Sequence, residues 1–192
     1  MSFYAHPTAV VESEDIGDGT KIWHFVHVRG GSRIGRNCNL GKSVYIDTEA
    51  EIGDNVKVQN FVSVYKGVKI DDDVFVGPAV TFTNDLYPRA FSWDEEHVIS
   101  TRICKGASLG ANSTIVCGVT VGAYAMIGAG SVVTRDVPPY ALVLGNPAEI
   151  KGWVCGCGRR LVDIVEEDEY KTMYKCSICE KTIEVEKKWM KG

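Results

Sequence analysis

From Val10 an aliphatic residue returns at every sixth position: Ile16, Ile22, Val28, Ile34, Leu40, Ile46, Ile52, Val58, Val64, Ile70 and Val76 follow without a miss. The beat resumes at Ile103 and runs through Leu109, Ile115, Val121, Ile127 and Val133. Four residues after each beat stands a small or β-branched residue, among them Thr20, Val26, Cys38, Ala50, Val68, Ala107, Ser113 and Val137. One residue after the beat Gly is frequent, at Gly17, Gly35, Gly41, Gly53, Gly77, Gly110, Gly122 and Gly128. An α-helix smears a six-residue period around its axis, and a flat strand of this length needs turns that are absent. A solenoid with three short faces per coil explains every mark. The beat points inward and stacks on its equivalents in neighbouring coils. The fourth residue also points inward where the prism is narrow, and Gly is expected to give the corner unusual backbone angles. Eighteen hexads predict six coils, a prism roughly 30 Å tall at the usual strand spacing.

Between Phe82 and Arg102 the beat is lost, and Asn84, Asp85, Arg89, Asp94, Glu95, Glu96 and His97 occupy the gap. A solenoid buries its core by stacking, so its middle is a poor place for an idle insertion. A connection this long inside a compact domain is usually functional. The bland alternative is a solvated loop that pads a subunit contact.

The repeat resembles the hexapeptide-repeat acyltransferases over Val10 to about Trp153, which implies an all-β, left-handed parallel β-helix. "VGPAVTFTNDLYPR" before the loop, "TKIWHFVHV" near the start, "VQNFVSVYKGV" and "GANSTIVCGVTVGAYAMIGAGSVVTRDVPPYALVLGNPA" after the loop are similar to N-acetyltransferases of nucleotide-linked 3-amino sugars. The resemblance implies acetyl-CoA as co-substrate, a homotrimer, and UDP-2-acetamido-3-amino-2,3-dideoxyglucuronate as acceptor for surface-polysaccharide synthesis. A dTDP-3-amino-3,6-dideoxyhexose is the alternative acceptor. Asn84 matches the residue that orients the acceptor amine in these relatives, and its amide can accept from an amine while donating to a sugar oxygen. None of the four histidines, His6, His24, His27 and His97, stands next to Asn84, where other members of the superfamily keep a catalytic histidine. The departing coenzyme A thiolate can take the proton instead. His97 is the alternative base, and Asp85 belongs either to the site or to a turn hydrogen bond within the loop.

Arg89 is a planar cation suited to a carboxylate or a diphosphate, or to a salt bridge inside the acidic loop. Lys57, Gln59 and Tyr65 are outward candidates for sugar contact or are simply solvated, and His24, like His27, points outward toward either a nucleotide or a trimer neighbour. The resemblance places coenzyme A beside Gly110, Ala111, Gly128, Ala129, Asn146 and Pro147, although the solenoid itself also demands small residues at the glycines. Walker and Rossmann fingerprints are absent, which argues against ATP or NAD. Other classes on the same fold are a γ-class carbonic anhydrase, which needs three converging histidines, and a non-catalytic scaffold, which needs no loop.

The chain divides into a β-helix over 1–153, with its loop at 82–102, and a tail over 154–192. In the tail, Cys155 and Cys157 precede Cys176 and Cys179, two close pairs whose spacing suits tetrahedral zinc in a structural role; the alternative is a relic of such a site that no longer binds metal. "LVDIV" and "TIEVE" alternate like short strands. With seven cysteines in all, an odd number, reduced thiols plus a metal site are expected rather than a disulfide framework. A net charge of −4 gives no reason to expect a nucleic acid or an anionic membrane as partner. No run approaches the length of a membrane span, and "MSFYAHPTAV" lacks the form of a signal peptide, so a cytoplasmic protein is expected.

Overall fold

The computed structural model describes residues 2–92 and 94–190. Their strands form sheets of ten, seven, five and three strands, and two single turns of 3-10 helix, Glu95–His97 and Lys187–Trp189, are the helical elements among them. Three of the sheets are the faces of a parallel β-solenoid. Face 1 begins with Tyr4–Ala5, Lys21–Ile22, Asn39–Leu40 and Lys57–Val58. Face 2 begins with Val10–Val11, His27–Val28, Tyr45–Ile46 and Ser63–Val64. Face 3 begins with Arg33–Ile34, Glu51–Ile52 and Val68–Ile70. Face 2 has seven rungs, one coil more than the hexad count predicts.

From Ile22 onward every beat residue is buried, and so is every residue four places later. The first beat is out of step. Val10 is 54% exposed, and its neighbour Val11 pairs with the inward Val28. The coil there is one residue short, and a slip of one residue turns a side chain to the opposite face.

The glycines serve a different purpose from the one expected. The left-handed backbone sits three residues after the beat, at Phe25, Asn37, Ser43, Glu49, Asn55, Phe61, Gly67, Asp73, Ala79 and Gly118. The glycines one residue after the beat answer to crowding. A Cβ on Gly35 would lie 2.5 Å from Asp54 Oδ1 and 2.5 Å from the carbonyl carbon of Gly53. That carboxylate accepts the Arg36 N–H at 2.7 Å. Asn60 and Asp72 accept from Lys42 and Asp54 in the same way at 2.8 Å. At Gly35, Gly41 and Gly53 a side chain from the next coil thus caps the corner, and only glycine leaves it room; at Gly77, Gly110 and Gly122 the crowding comes from the next coil's backbone.

The loop is narrower than the lost beat suggests. Phe82 stays in a strand with Thr81, fully buried, and Thr101–Ile103 is a strand as well. Lys57 pairs with Phe75, three hexads further along, as elsewhere in the stack. Phe75 in turn pairs with Ser108, so the one coil that carries the loop is nearly twice the ordinary length. The loop leaves face 2 after Phe82 and returns to face 3 at Thr101 without disturbing the register above.

At the far end the ladder reverses. Ala141–Leu144 pairs antiparallel with Glu149–Val154, which pairs antiparallel with Arg160–Leu161. A division after residue 153 therefore falls inside a strand. The tail adds a three-stranded sheet of Asp163–Glu167, Lys171–Lys175 and Thr182–Glu186. The first strand begins two residues later than "LVDIV" suggests, because Leu161 is spent on Trp153. Leu161, Cys176, Ile183 and Val185 share one core with the solenoid.

Candidate active site

The constant length of the ordinary coil turns sequence positions into columns. Arg29, Asp47, Tyr65 and Thr83 form one column at the corner between faces 2 and 3, and the loop springs from its top. Both banks of the loop are pinned to the coil above. Thr83 Oγ1 accepts the Cys117 N–H at 2.9 Å, and Thr101 Oγ1 accepts the next amide, Gly118 N–H, at 3.2 Å. Ile99 N–H donates to the Asn84 carbonyl at 3.0 Å and closes the mouth. Val98 and Ile99 fold back over Gly67 and Gly118, where an added Cβ would meet them at 2.8 and 3.1 Å.

This closure leaves Asn84 half-buried at the root of the loop. Asp85 forms the turn: its Oδ1 accepts the Tyr87 N–H at 2.7 Å. Its Oδ2 lies 4.0 Å from His97 Nδ1, and the carboxylate is only 11% exposed against 42% for the imidazole. That separation is an ion-pair distance and too long for a hydrogen bond. Arg89 is exposed and donates to the neighbouring Pro88 carbonyl at 2.9 Å. Asn84, Asp85, His97 and Arg89 thus come together on one loop, with Tyr65 in the column beneath.

The residues expected to meet the coenzyme lie elsewhere. Gln59, Gly110 and Gly128 share one column at the corner between faces 1 and 2, and His24, Ala111 and Ala129 share the next. A Cβ on Gly110 would sit 2.5 Å from Ala129 N, and one on Gly128 would collide with Leu144. Coil stacking alone therefore explains both glycines. Asn146 and Pro147, joined by a cis peptide, are exposed at the upper end of face 2, where Ala148 N–H donates to the Val132 carbonyl at 2.8 Å. Lys57 stands apart, outward on face 1. All the other candidates of the solenoid border face 2, on opposite edges of it.

The histidines do not converge. His6 stacks on His24 at 3.5 Å, His27 contacts Glu12 at 2.9 Å, and His97 is in the loop. Among the described residues the one group able to hold a metal is Cys155, Cys157, Cys176 and Cys179, whose sulfurs lie within 4.8 Å of one another. Burial pushes the Cys155 thiol up to about 12, while the backbone N–H groups of Cys179 and Ile178 pull Cys176 down to about 6.

Two features escaped the sequence reading. Tyr45 O–H donates to Asp47 Oδ1 at 3.0 Å, and Arg29 donates to Tyr45 Oη at 3.3 Å, so a polar network climbs face 2 toward the loop. Phe25 and Phe61, 59% and 61% exposed, flank Lys42 on the corner between faces 1 and 2. Reading the chain in steps of a whole coil rather than a hexad exposes both. A groove of about 910 Å³ runs along face 3 beneath Val98 and Ser100. Its cations are matched within the chain, Lys69 by Glu51 at 2.8 Å and Arg33 by Asp15 at 2.8 Å, and it contains none of the candidate residues.

Residues 15–48, 49–84 and 100–135 match the model of the bacterial transferase hexapeptide family (six repeats). This chain belongs to that family. It is similar to dTDP-3-amino-3,6-dideoxy-alpha-D-galactopyranose 3-N-acetyltransferase of Aneurinibacillus thermoaerophilus, with 51% identity over 158 residues, 82% of each chain. It is similar in structure to the H141A mutant of GDP-perosamine N-acetyltransferase from Caulobacter crescentus in complex with CoA and GDP-perosamine, with TM-score 0.51 and 27% identity over 78% of this chain and 56% of that one. A hexapeptide-repeat acetyltransferase from Vibrio cholerae, complexed with acetyl coenzyme A, matches with TM-score 0.56 and 27% identity over 64% of this chain and 70% of that one. The member of the family described here is an acetyltransferase. Among its described residues no helix is long and apolar enough to cross a membrane.

Proposed function

We propose that this chain moves the acetyl group of acetyl-CoA onto the 3-amino group of a dTDP-linked 3-amino-3,6-dideoxyhexose. The observation that carries the reading is the 51% identity, over 82% of both chains, to an enzyme named for that acceptor class. It favours the dTDP-deoxyhexose over the UDP-uronate to which the sequence motifs pointed.

The reaction needs a neutral amine about 3 Å from the thioester carbonyl. Asn84 holds that amine: half-buried at the pinned root of the loop, its amide has a fixed place from which to accept an N–H. The amine nitrogen bonds to the carbonyl carbon, the C–S bond breaks, and the leaving thiolate takes the amine's proton. His97 and Asp85 lie too far apart to form a hydrogen-bonded relay, which supports leaving the proton to the thiolate. Arg89, exposed on the same loop, is available to the diphosphate. The donor is held at the other corner by Ala111, Ala129, Asn146 and Pro147.

The two corners of one chain are separated by a whole face of the prism, up to about 20 Å. Donor and acceptor therefore meet where the loop corner of one chain lies against the small-residue corner of the next. A contact between two different patches closes into a ring when the rotation allows, and we assign a homotrimer. Phe25 and Phe61 supply apolar surface at the corner assigned to the neighbour.

The test is a panel of acceptors with acetyl-CoA: dTDP-3-amino-3,6-dideoxygalactose, its glucose epimer, and UDP-2-acetamido-3-amino-2,3-dideoxyglucuronate. The dTDP sugars should give the highest kcat/KM. A preference for the uronate, by tenfold or more, would overturn the choice of acceptor. Light scattering at the mass of one chain would overturn the trimer.

A further inference from the structure

We propose that Cys155, Cys157, Cys176 and Cys179 hold one zinc ion, and that this ion fastens residues 155–190 as a plug over the open end of the solenoid. Tetrahedral zinc with bonds of about 2.3 Å sets its sulfurs about 3.8 Å apart. Here Cys155 and Cys179 are 3.4 Å apart, and Cys157 and Cys176 are 3.6 Å apart. Cys155 and Cys157 sit on one tight turn, and Cys176 and Cys179 on another. Gly158 N–H donates to the Cys155 carbonyl at 2.8 Å, and Glu180 N–H to the Cys176 carbonyl at 3.0 Å. Gly158 and Glu180 take the left-handed φ, 85° and 60°, that such a turn needs. Four thiolates suit zinc or a single iron. The role here requires no change of redox state, so zinc is assigned, and four sulfurs leave no open position for catalysis.

The need for a plug follows from the solenoid. Its last coil ends with Val133, Val137 and Val143 facing inward and no further coil to cover them. Ala148, Trp153, Leu161, Ile183 and Val185 complete that core. The first turn rests on the solenoid wall: a Cβ on Gly156 would touch the Tyr124 ring at 3.5 Å, and one on Gly158 would touch Met126 at 3.7 Å. The C-terminal turn reaches back, so that Trp189 and Met190 line a cleft with Arg135, Glu149 and Ile150. The segment is too short to hold itself together by a core of its own, and the strand Asp163–Glu167 is exposed along its whole length. Its backbone pairing to the solenoid amounts to Arg160–Leu161. A metal joining both turns is the cross-link that keeps the remainder in place.

The test uses the full chain, purified in reducing buffer without added metal. Elemental analysis should find one zinc per chain. Cys155, Cys157, Cys176 and Cys179 should resist alkylation until a chelator is added, whereas the buried Cys38 and Cys117 should not respond to the chelator. Removing zinc from the wild-type protein should speed proteolysis within 155–190 about tenfold or more and shift the fluorescence of Trp153 and Trp189, while the β-sheet signal of the solenoid persists. Cys157→Ser, at the exposed ligand, should lose the ion. Because the metal is withdrawn from wild-type protein, the result does not depend on whether the variant folds. Iron in place of zinc, or protein that as purified carries no metal and alkylates at all four of these cysteines without a chelator, would overturn the site. Zinc whose removal leaves proteolysis unchanged would overturn the plug.

Discussion

Residues 84–100 can be removed without breaking the register of the coil. The coil beneath connects face 2 to face 3 with Lys66 and Gly67 between Tyr65 and Val68, and Gly67 supplies the left-handed φ of 89°. Replacing residues 84–100 by Lys–Gly should therefore rejoin Thr83 to Thr101 as an ordinary corner. Shortening the connection to that dipeptide lowers the entropy of closure by about 2 kcal/mol. Against this, Val98 and Ile99, half-buried on Gly67 and Gly118, lose contacts worth about 1 kcal/mol each. The two effects nearly cancel, so Tm should stay within about 4 °C of wild type. Acetyl transfer should fall by more than about 10³-fold, since the loop carries the groups assigned to the acceptor. Binding of coenzyme A, followed by calorimetry, should persist if each chain's small-residue corner is intact. Activity within tenfold of wild type would refute the assignment of the acceptor site to the loop. A Tm lowered by more than about 10 °C would refute the claim that the solenoid does not need it.

Asn84→Ala should lower kcat/KM at least about tenfold, a loss of roughly 1.4 kcal/mol of transition-state positioning, with Tm nearly unchanged; wild-type activity would remove Asn84 from the site. His97→Asn should cost less than about tenfold in kcat, below the 10²–10⁴-fold usually lost with a general base, and the rate should follow the pKa of the acceptor amine; a drop of about 10³-fold would make His97 the base. The Arg36 side chain and its backbone N–H hold the Asp54 carboxyl below its ordinary 3.8. Such a group stabilises the fold above its unfolded pKa and loses that contribution as pH falls through the lower folded value. Asn at position 54 can still accept the Arg36 N–H, so Asp54→Asn isolates the charge. Wild type should melt higher at pH 6, and the gap should narrow in thermal scans below pH 3.8; a gap independent of pH would show that the charge is not involved.

The fold was legible because one physical demand, a stacked core, repeats at every beat from Ile16 to Val133. It misled where two demands look alike in one letter. Val10 and Val11 are both valines, and only the short first coil decides which faces inward. The glycines one place after the beat read as backbone freedom, yet Gly35 is required by the carboxylate of Asp54 from the next coil, and the left-handed corners are carried by residues as bulky as Phe25 and Phe61. The candidate site was legible in part. Asn84, Asp85, Arg89 and His97 share one loop, so a gap in the beat was enough to find them. Tyr45 and Arg29 were invisible because their relation to the loop runs up the stack, one whole coil at a time. That the residues assigned to donor and acceptor occupy opposite edges of face 2 was equally hidden, since a hexad pattern does not say which corner is which.

The two threonine hydroxyls at the loop's banks have an evolutionary consequence. Thr83 and Thr101 grip consecutive amides of the coil above, and Val98 and Ile99 pack on Gly67 and Gly118, so the solenoid holds the loop at its two ends. The tip between those ends can drift, lengthen or be exchanged at little cost to the stacked coils. If the loop holds the acceptor as proposed, selection for a new one can act on that cassette, and a graft between cousins needs to preserve two hydroxyls, two apolar contacts and a register, not a fold.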